Sequence, residues 1–135
     1  MTAILCLDDR KGMMYNDRRQ SRDCRVTEKI LELCENKTLW IHPYSKILFE
    51  GRRTENIRID ELFLEKAGDG EYCFVENSGL AKFQDKLEGI VVFWWNRRYP
   101  GDFYLDLNLE LWNKIESRDC AGYSHEKVTR EVYVR

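Results

Sequence analysis

Several features are scarce in this chain of 135 residues, and each scarcity removes a class of explanation. Histidine occurs twice, at His42 and His125, far apart and at neither HxH nor HExxH spacing, so there is no zinc-hydrolase ligand set. No GxSxG, P-loop or GxGxxG string is present, which removes the sequence signatures of a nucleophile elbow, a Walker cradle and a dinucleotide fingerprint. The cysteines (Cys6, Cys24, Cys34, Cys73 and Cys120) are odd in number and lack any C-x-x-C pair, so free thiols in a reducing cytoplasm are expected. The longest apolar run is six residues, against about 20 for a membrane-spanning helix. Residues 1–7 lack the basic start of a secretory signal, which again points to the cytoplasm. Neither sign of charge dominates: 22 basic and 24 acidic residues leave −2, with no overall pull toward nucleic acid or membrane, although local patches remain open. Proline appears only twice and no repeat or linker-like stretch interrupts the chain, so residues 1–135 are expected to form one domain.

What the chain does have is material for a core. Ile90–Trp95, bounded by Gly89 and Asn96, suits a strand buried on both faces. A polar insert follows, Asn96–Asp102, with a turn at Tyr99-Pro100-Gly101; Phe103, Leu105 and Leu107 then return as an alternating strand. Earlier, Ala3–Leu7 reads as a buried first strand and residues 10–22 as a loop hinged at Gly12. Val26, Ile30, Leu33 and Cys34 share one helical stripe, predicting a helix from Asp23 to about Glu35 with Ser21 as N-cap and Asn36 as stop. Thr38–Ile41, Asn56–Ile59 and Tyr72–Val75 read as short strands. Ser45–Phe49, Asp60–Ala67 and the Leu80–Leu87 stretch capped by Ser78 read as short helices. Trp112–Ser117 and Lys127–Val134 alternate as an antiparallel hairpin around the Asp119–His125 loop. Strands alternating with helices, then a closing hairpin, predict an α/β chain with a mixed sheet flanked by short helices.

That order resembles the dihydrofolate reductase family. The first strand, the long Gly-Met loop, Asp23 opening the first helix and a strand straight after it match the family's N-terminal third. Gly101-Asp102 before an aromatic strand, Asp106-Leu107, Trp112 and the final Val132-Tyr133-Val134-Arg135 are similar to its closing segment. The likeness covers residues 3–45 and 71–135, with residues 46–70 shorter than the family's middle. It implies a single-domain dihydrofolate reductase-like fold and places Asp23 where the family keeps the carboxylate that holds a pterin ring. Such a carboxylate accepts paired N–H bonds from a flat amidine-like edge, and burial beside Val26 and Met14 would raise its pKa. Gly12–Asn16 matches the mobile loop that closes over substrate and nicotinamide. NADPH is the cofactor the resemblance implies. Yet Glu76-Asn77 replaces the Gly-Gly pair that presents N–H groups to its phosphates, and of the Gly-Arg-x-Thr grip only Ser45 has a counterpart.

The expected site is therefore a cleft between the 12–23 loop and the Trp94–Asp102 segment, binding a planar pterin- or nucleotide-like heterocycle. Asp23 is its anchor and, in a reductase, the group that aids protonation; Met14, Asn16, Arg18, Arg19, Gln20, Trp94 and Tyr99 line it. The bland reading of Asp23 is a helix-opening acid, and that of the arginine-rich 18–22 run a solvated loop. A rival reading from another class is a non-catalytic module that binds RNA or a protein partner. It would use the pairs Arg18-Arg19, Arg52-Arg53 and Arg97-Arg98 with Trp94 and Trp95.

Overall fold

The computed structural model describes residues 1–135. Its strands are β1 (Thr2–Leu7), β2 (Gly12–Tyr15), β3 (Arg18–Arg19), β4 (Leu39–Ile41), β5 (Ile57–Ile59), β6 (Tyr72–Phe74), β7 (Gly89–Trp94), β8 (Phe103–Tyr104), β9 (Asn113–Cys120) and β10 (Val128–Val134). The α-helices are α1 (Cys24–Leu33) and α2 (Phe63–Lys66). Seven strands form one mixed sheet in the order β5-β4-β6-β1-β7-β10-β9, and β3-β2-β8 form a small second sheet.

At the centre, β1 runs parallel to both β6 and β7. Strands covered on both faces need apolar side chains at consecutive positions, which is why Ala3–Leu5 and Ile90–Phe93 are unbroken. Alternation then sorts them into two layers. Leu5, Leu7, Ile90 and Val92 pack with Met14, Leu80 and Trp112 on one side. Ile4, Val91 and Phe93 pack with Val26 and Ile30 of α1 and with Cys34 at its C-terminal cap on the other. Each fully buried Leu, Ile or Phe contributes about 1.5–3 kcal/mol through area removed from water. β10 lies antiparallel to β7 and β9, which completes the expected closing hairpin.

Four local expectations need correction. Residues 10–22 are not a plain loop: β2 and β3 form a hairpin, and β2 also pairs with β8. Asn16 and Asp17 both sit in the left-handed region, with φ of 52° and 59°, the conformation that lets a two-residue turn follow the twist of its strands. The alternation at Phe103, Leu105 and Leu107 yields only the short β8. Helix α1 is capped by Asp23 rather than Ser21, since the extended Asp23 backbone aims its carboxylate at Arg25 N–H, 2.9 Å away. The 3-10 turn Ala81–Lys86 takes its cap from Asp106, whose Oδ1 accepts from Leu80 and Ala81 N–H, not from Ser78. No helix is long and apolar enough to cross a membrane. All five cysteines are free thiols, and no group of three His, Cys, Asp or Glu side chains could hold a metal ion.

Candidate functional site

The C-terminal ends of β1, β6 and β7 converge on the start of α1, where open α/β sheets receive ligands. A crevice is present there, lined by Cys6, Ser21, Asp23, Val26, Phe74 and Trp95 among others, and its volume is about 20 Å³. That is room for about one water molecule, not for a flat ring system. The chain's own side chains fill the rest.

Asp23 explains much of the filling. Its side chain is fully buried, and its carboxylate accepts from the backbone N–H groups of Arg25, Tyr123, Ser124 and His125 at 2.9–3.1 Å. Ser124 Oγ and His125 Nδ1 add bonds of 3.1 and 3.0 Å. Burial works to raise the pKa, as the sequence suggested. Hydrogen bonds from Tyr123, His125, Ser124 and Arg25 outweigh it and hold the carboxyl well below the usual carboxylate range. Asp23 is thus a fixed anion that caps α1 and clamps the turn between β9 and β10. Gly122 is part of this clamp: a Cβ there would lie 2.7 Å from Asp23 Oδ2 and 2.6 Å from the His125 carbonyl.

The clamp positions His125, which is buried at 4% exposure. Because Asp23 is ionised and accepts at Nδ1, a proton sits on Nδ1, and in the neutral ring Nε2 is then the acceptor. Nε2 lies 2.9 Å from Ser21 Oγ and 3.1 Å from the Tyr99 hydroxyl. Trp95 stacks on the imidazole with centroids 4.4 Å apart and planes at 22°, fixing the ring's orientation. Nothing in the sequence spacing signals this group, since Ser21 and His125 are 104 residues apart.

A second network lies beside it. Arg19 grips Glu76 with both fork nitrogens, Nε to Oε2 at 2.9 Å and Nη2 to Oε1 at 3.1 Å. Ser45, fully buried, donates its hydroxyl to Glu76 Oε1 at 2.7 Å, and the Arg19 guanidinium stacks over the Tyr44 ring at 4.4 Å. Glu76, read from sequence as a carboxylate facing a dinucleotide, is neutralised internally, and Ser45 is committed to it.

The remaining expected residues divide. Gln20 donates to Asp8 Oδ2 and to the Pro100 carbonyl, both at 3.1 Å, while Tyr99 N–H donates to Asp8 Oδ2 at 3.1 Å. The buried Asp8 thus ties the two sides of the expected cleft together. Met14 is a core residue at 5% exposure. Asn16 and Arg18 point to solvent on the β2–β3 turn. Trp94 corrects the expected lining. It packs in the layer opposite α1 and donates Nε1–H to Glu131 at 2.9 Å, so Trp95, one residue on, is the tryptophan facing Asp23. With Trp95 only 3% exposed, that ring offers no stacking face to a nucleic-acid base.

No family model matches the sequence, and no curated protein sequence matches it. The fold does match solved structures. One is the dihydrofolate reductase from Enterococcus faecalis complexed with NADP(H) and RAB-propyl, with a TM-score of 0.70 at 12% identity, covering 99% of this chain and 95% of that one. Coverage of that extent includes the middle segment, 46–70, which the sequence motifs did not reach. The chain has the dihydrofolate reductase-like fold, with the floor of its crevice occupied by its own side chains.

Proposed function

We propose that the protein binds a nucleotide-like anion, a flat heterocycle carrying phosphate, at the mouth between the 12–23 segment and the Trp94–Asp102 segment, without hydride transfer. One observation supports this most. Arg10, Arg18, Arg22, Arg97 and Arg98 are exposed and make no ion pair, whereas Arg19, Arg53, Arg118 and Arg130 do. The segments bearing them are tied together by Asp9 N–H to the Arg97 carbonyl, Gln20 to the Pro100 carbonyl, and Asn16 N–H to Asp102. Guanidinium forks suit phosphate, and Tyr15, half-exposed and paired with Arg18 across the hairpin, offers a ring face to a base.

A pterin gripped by Asp23 is disfavoured, because it would have to displace bonds that the carboxylate already makes. The ligand therefore moves from the crevice floor to its mouth, and Asp23 serves by holding one wall. A single-stranded RNA presents the same chemistry as a nucleotide, phosphate beside a flat base, so the test must separate them. Thermal denaturation with mononucleotides, and separately with a short oligoribonucleotide, should raise Tm with at least one. The rise should shrink with added salt and vanish in R97A/R98A. No rise with either overturns the proposal, and NADPH oxidation in the presence of dihydrofolate would restore the reductase reading.

A further inference from the structure

We infer that Ser21, His125 and Asp23 form a nucleophile–base–orienter relay, giving this chain an acyl-transfer activity toward short-chain carboxylic esters. The inference stands apart from nucleotide binding at the mouth. It rests on a chain of contacts: Ser21 Oγ to His125 Nε2 at 2.9 Å, and His125 Nδ1 to Asp23 Oδ2 at 3.0 Å. Such a relay is recognised by geometry and roles rather than by sequence order, and it recurs on unrelated folds.

Each component is held as its role requires. Asp23 is anionic and engaged with backbone N–H groups on two segments, so it fixes the imidazole tautomer that leaves Nε2 free to accept a proton. Trp95 stacks on the ring, and an imidazolium forming there would face its π surface. Ser21 is partly exposed on the segment before α1, at the edge of the crevice. The peptide N–H groups of Ser21 and Arg22 make no hydrogen bond within the chain and lie on the segment just before α1, where an oxyanion formed at Ser21 would need donors. The alternative thiol, Cys6, is no competitor: burial first, then the Glu76 and Asp23 charges, push its pKa well above the ordinary value.

The step balances without any added cofactor. Ser21 Oγ bonds to the ester carbonyl carbon as its proton passes to His125 Nε2, and the carbonyl π pair moves onto oxygen. Collapse breaks the bond to the leaving alkoxide, which takes the proton from Nε2. Water then adds to the acyl-serine, giving its proton to Nε2, and collapse returns that proton to Ser21. The sum is ester plus water to acid plus alcohol. The crevice of about 20 Å³ beside Ser21, walled by Val26, Phe74 and Trp95, has room for little more than one water-sized group, which favours the smallest acyl chains.

The test is active-site labelling of the whole chain with a fluorophosphonate, read by intact mass and peptide mapping. One adduct on Ser21 is expected, absent in S21A and slowed on the order of 100-fold in H125Q. Both variants should keep the wild-type circular dichroism, because neither removes a helix cap. Y99F should still label at Ser21, since it removes a hydroxyl near Nε2 and 3.4 Å from Ser21 Oγ but leaves the Ser21–His125 contact in place. p-Nitrophenyl acetate should turn over faster than the butyrate by at least about tenfold, with S21A at background. No adduct on the folded wild-type protein, equal labelling of S21A, or an adduct on Tyr99 in place of Ser21 overturns the inference. Nucleotide-dependent Tm shifts in S21A report on the mouth separately, so failure of one reading does not mask failure of the other.

Discussion

At the scale of single residues, Asp23 joins the start of α1 to the turn between β9 and β10. Replacing it with Asn removes the charge that six donors on two segments were arranged to meet. D23N should lose about 2–4 kcal/mol at neutral pH, the sum of a lost cap and buried donors left short of a partner. The sign of the pH effect follows from the depressed pKa. The contribution is fully present above the ordinary Asp value of about 4 and is lost as the pH falls below it toward the folded-state value. Urea midpoints of wild type and D23N should therefore converge in acid, and a gap that stays constant down to low pH would count against the clamp. Gly122 adds a steric check: G122A should reproduce part of the loss without touching any charge, because its methyl group would press on Asp23 Oδ2.

At the scale of elements, the β2–β3 hairpin is held down by one buried ion pair. Arg19 and Glu76 have 17% and 9% side-chain exposure, so removing one partner strands the other away from water. R19M should cost about 3–5 kcal/mol, and the double variant R19M/E76L should recover most of it, as measured by urea unfolding. Recovery of nothing would mean that the Ser45 and Tyr44 contacts, not charge pairing, hold the hairpin. This hairpin is also where sequence reading was weakest. β1, β7 and the closing hairpin were legible because an unbroken apolar run or a strict alternation is a local property. The β2–β3 turn is Asn-Asp rather than Asn-Gly, and its strands are too short for a period to show. The two tryptophans posed a parity question that no local signal answers: with Trp94 the last strand residue, alternation sends it to one layer and Trp95 to the other. The Ser21–His125 contact joins distant segments, so only the folded arrangement reveals it.

At the scale of the whole molecule, the two core layers seal thiols on both sides of the sheet. Burial pushes Cys34 and Cys73 up to about 12, and both lie at 0% exposure. Under native conditions neither should react with iodoacetamide until the sheet opens, while the partly exposed Cys24 and Cys120 react first. Alkylation at Cys34 and Cys73 should then share one rate, the rate of global opening, with mass spectrometry counting the adducts. Distinct rates would show that the two layers separate independently.

The central position of β1 has a consequence for biosynthesis. β1, made early, finds its neighbours only at residues 72–74 and 89–94, and the cap of α1 is completed by a turn some hundred positions later. A nascent chain stalled before Gly122 therefore holds β7 without its partner β10, and α1 without the turn that completes its cap. The sheet and the helix cap close together only once β10 has been made, and until then the early apolar segments stay uncovered.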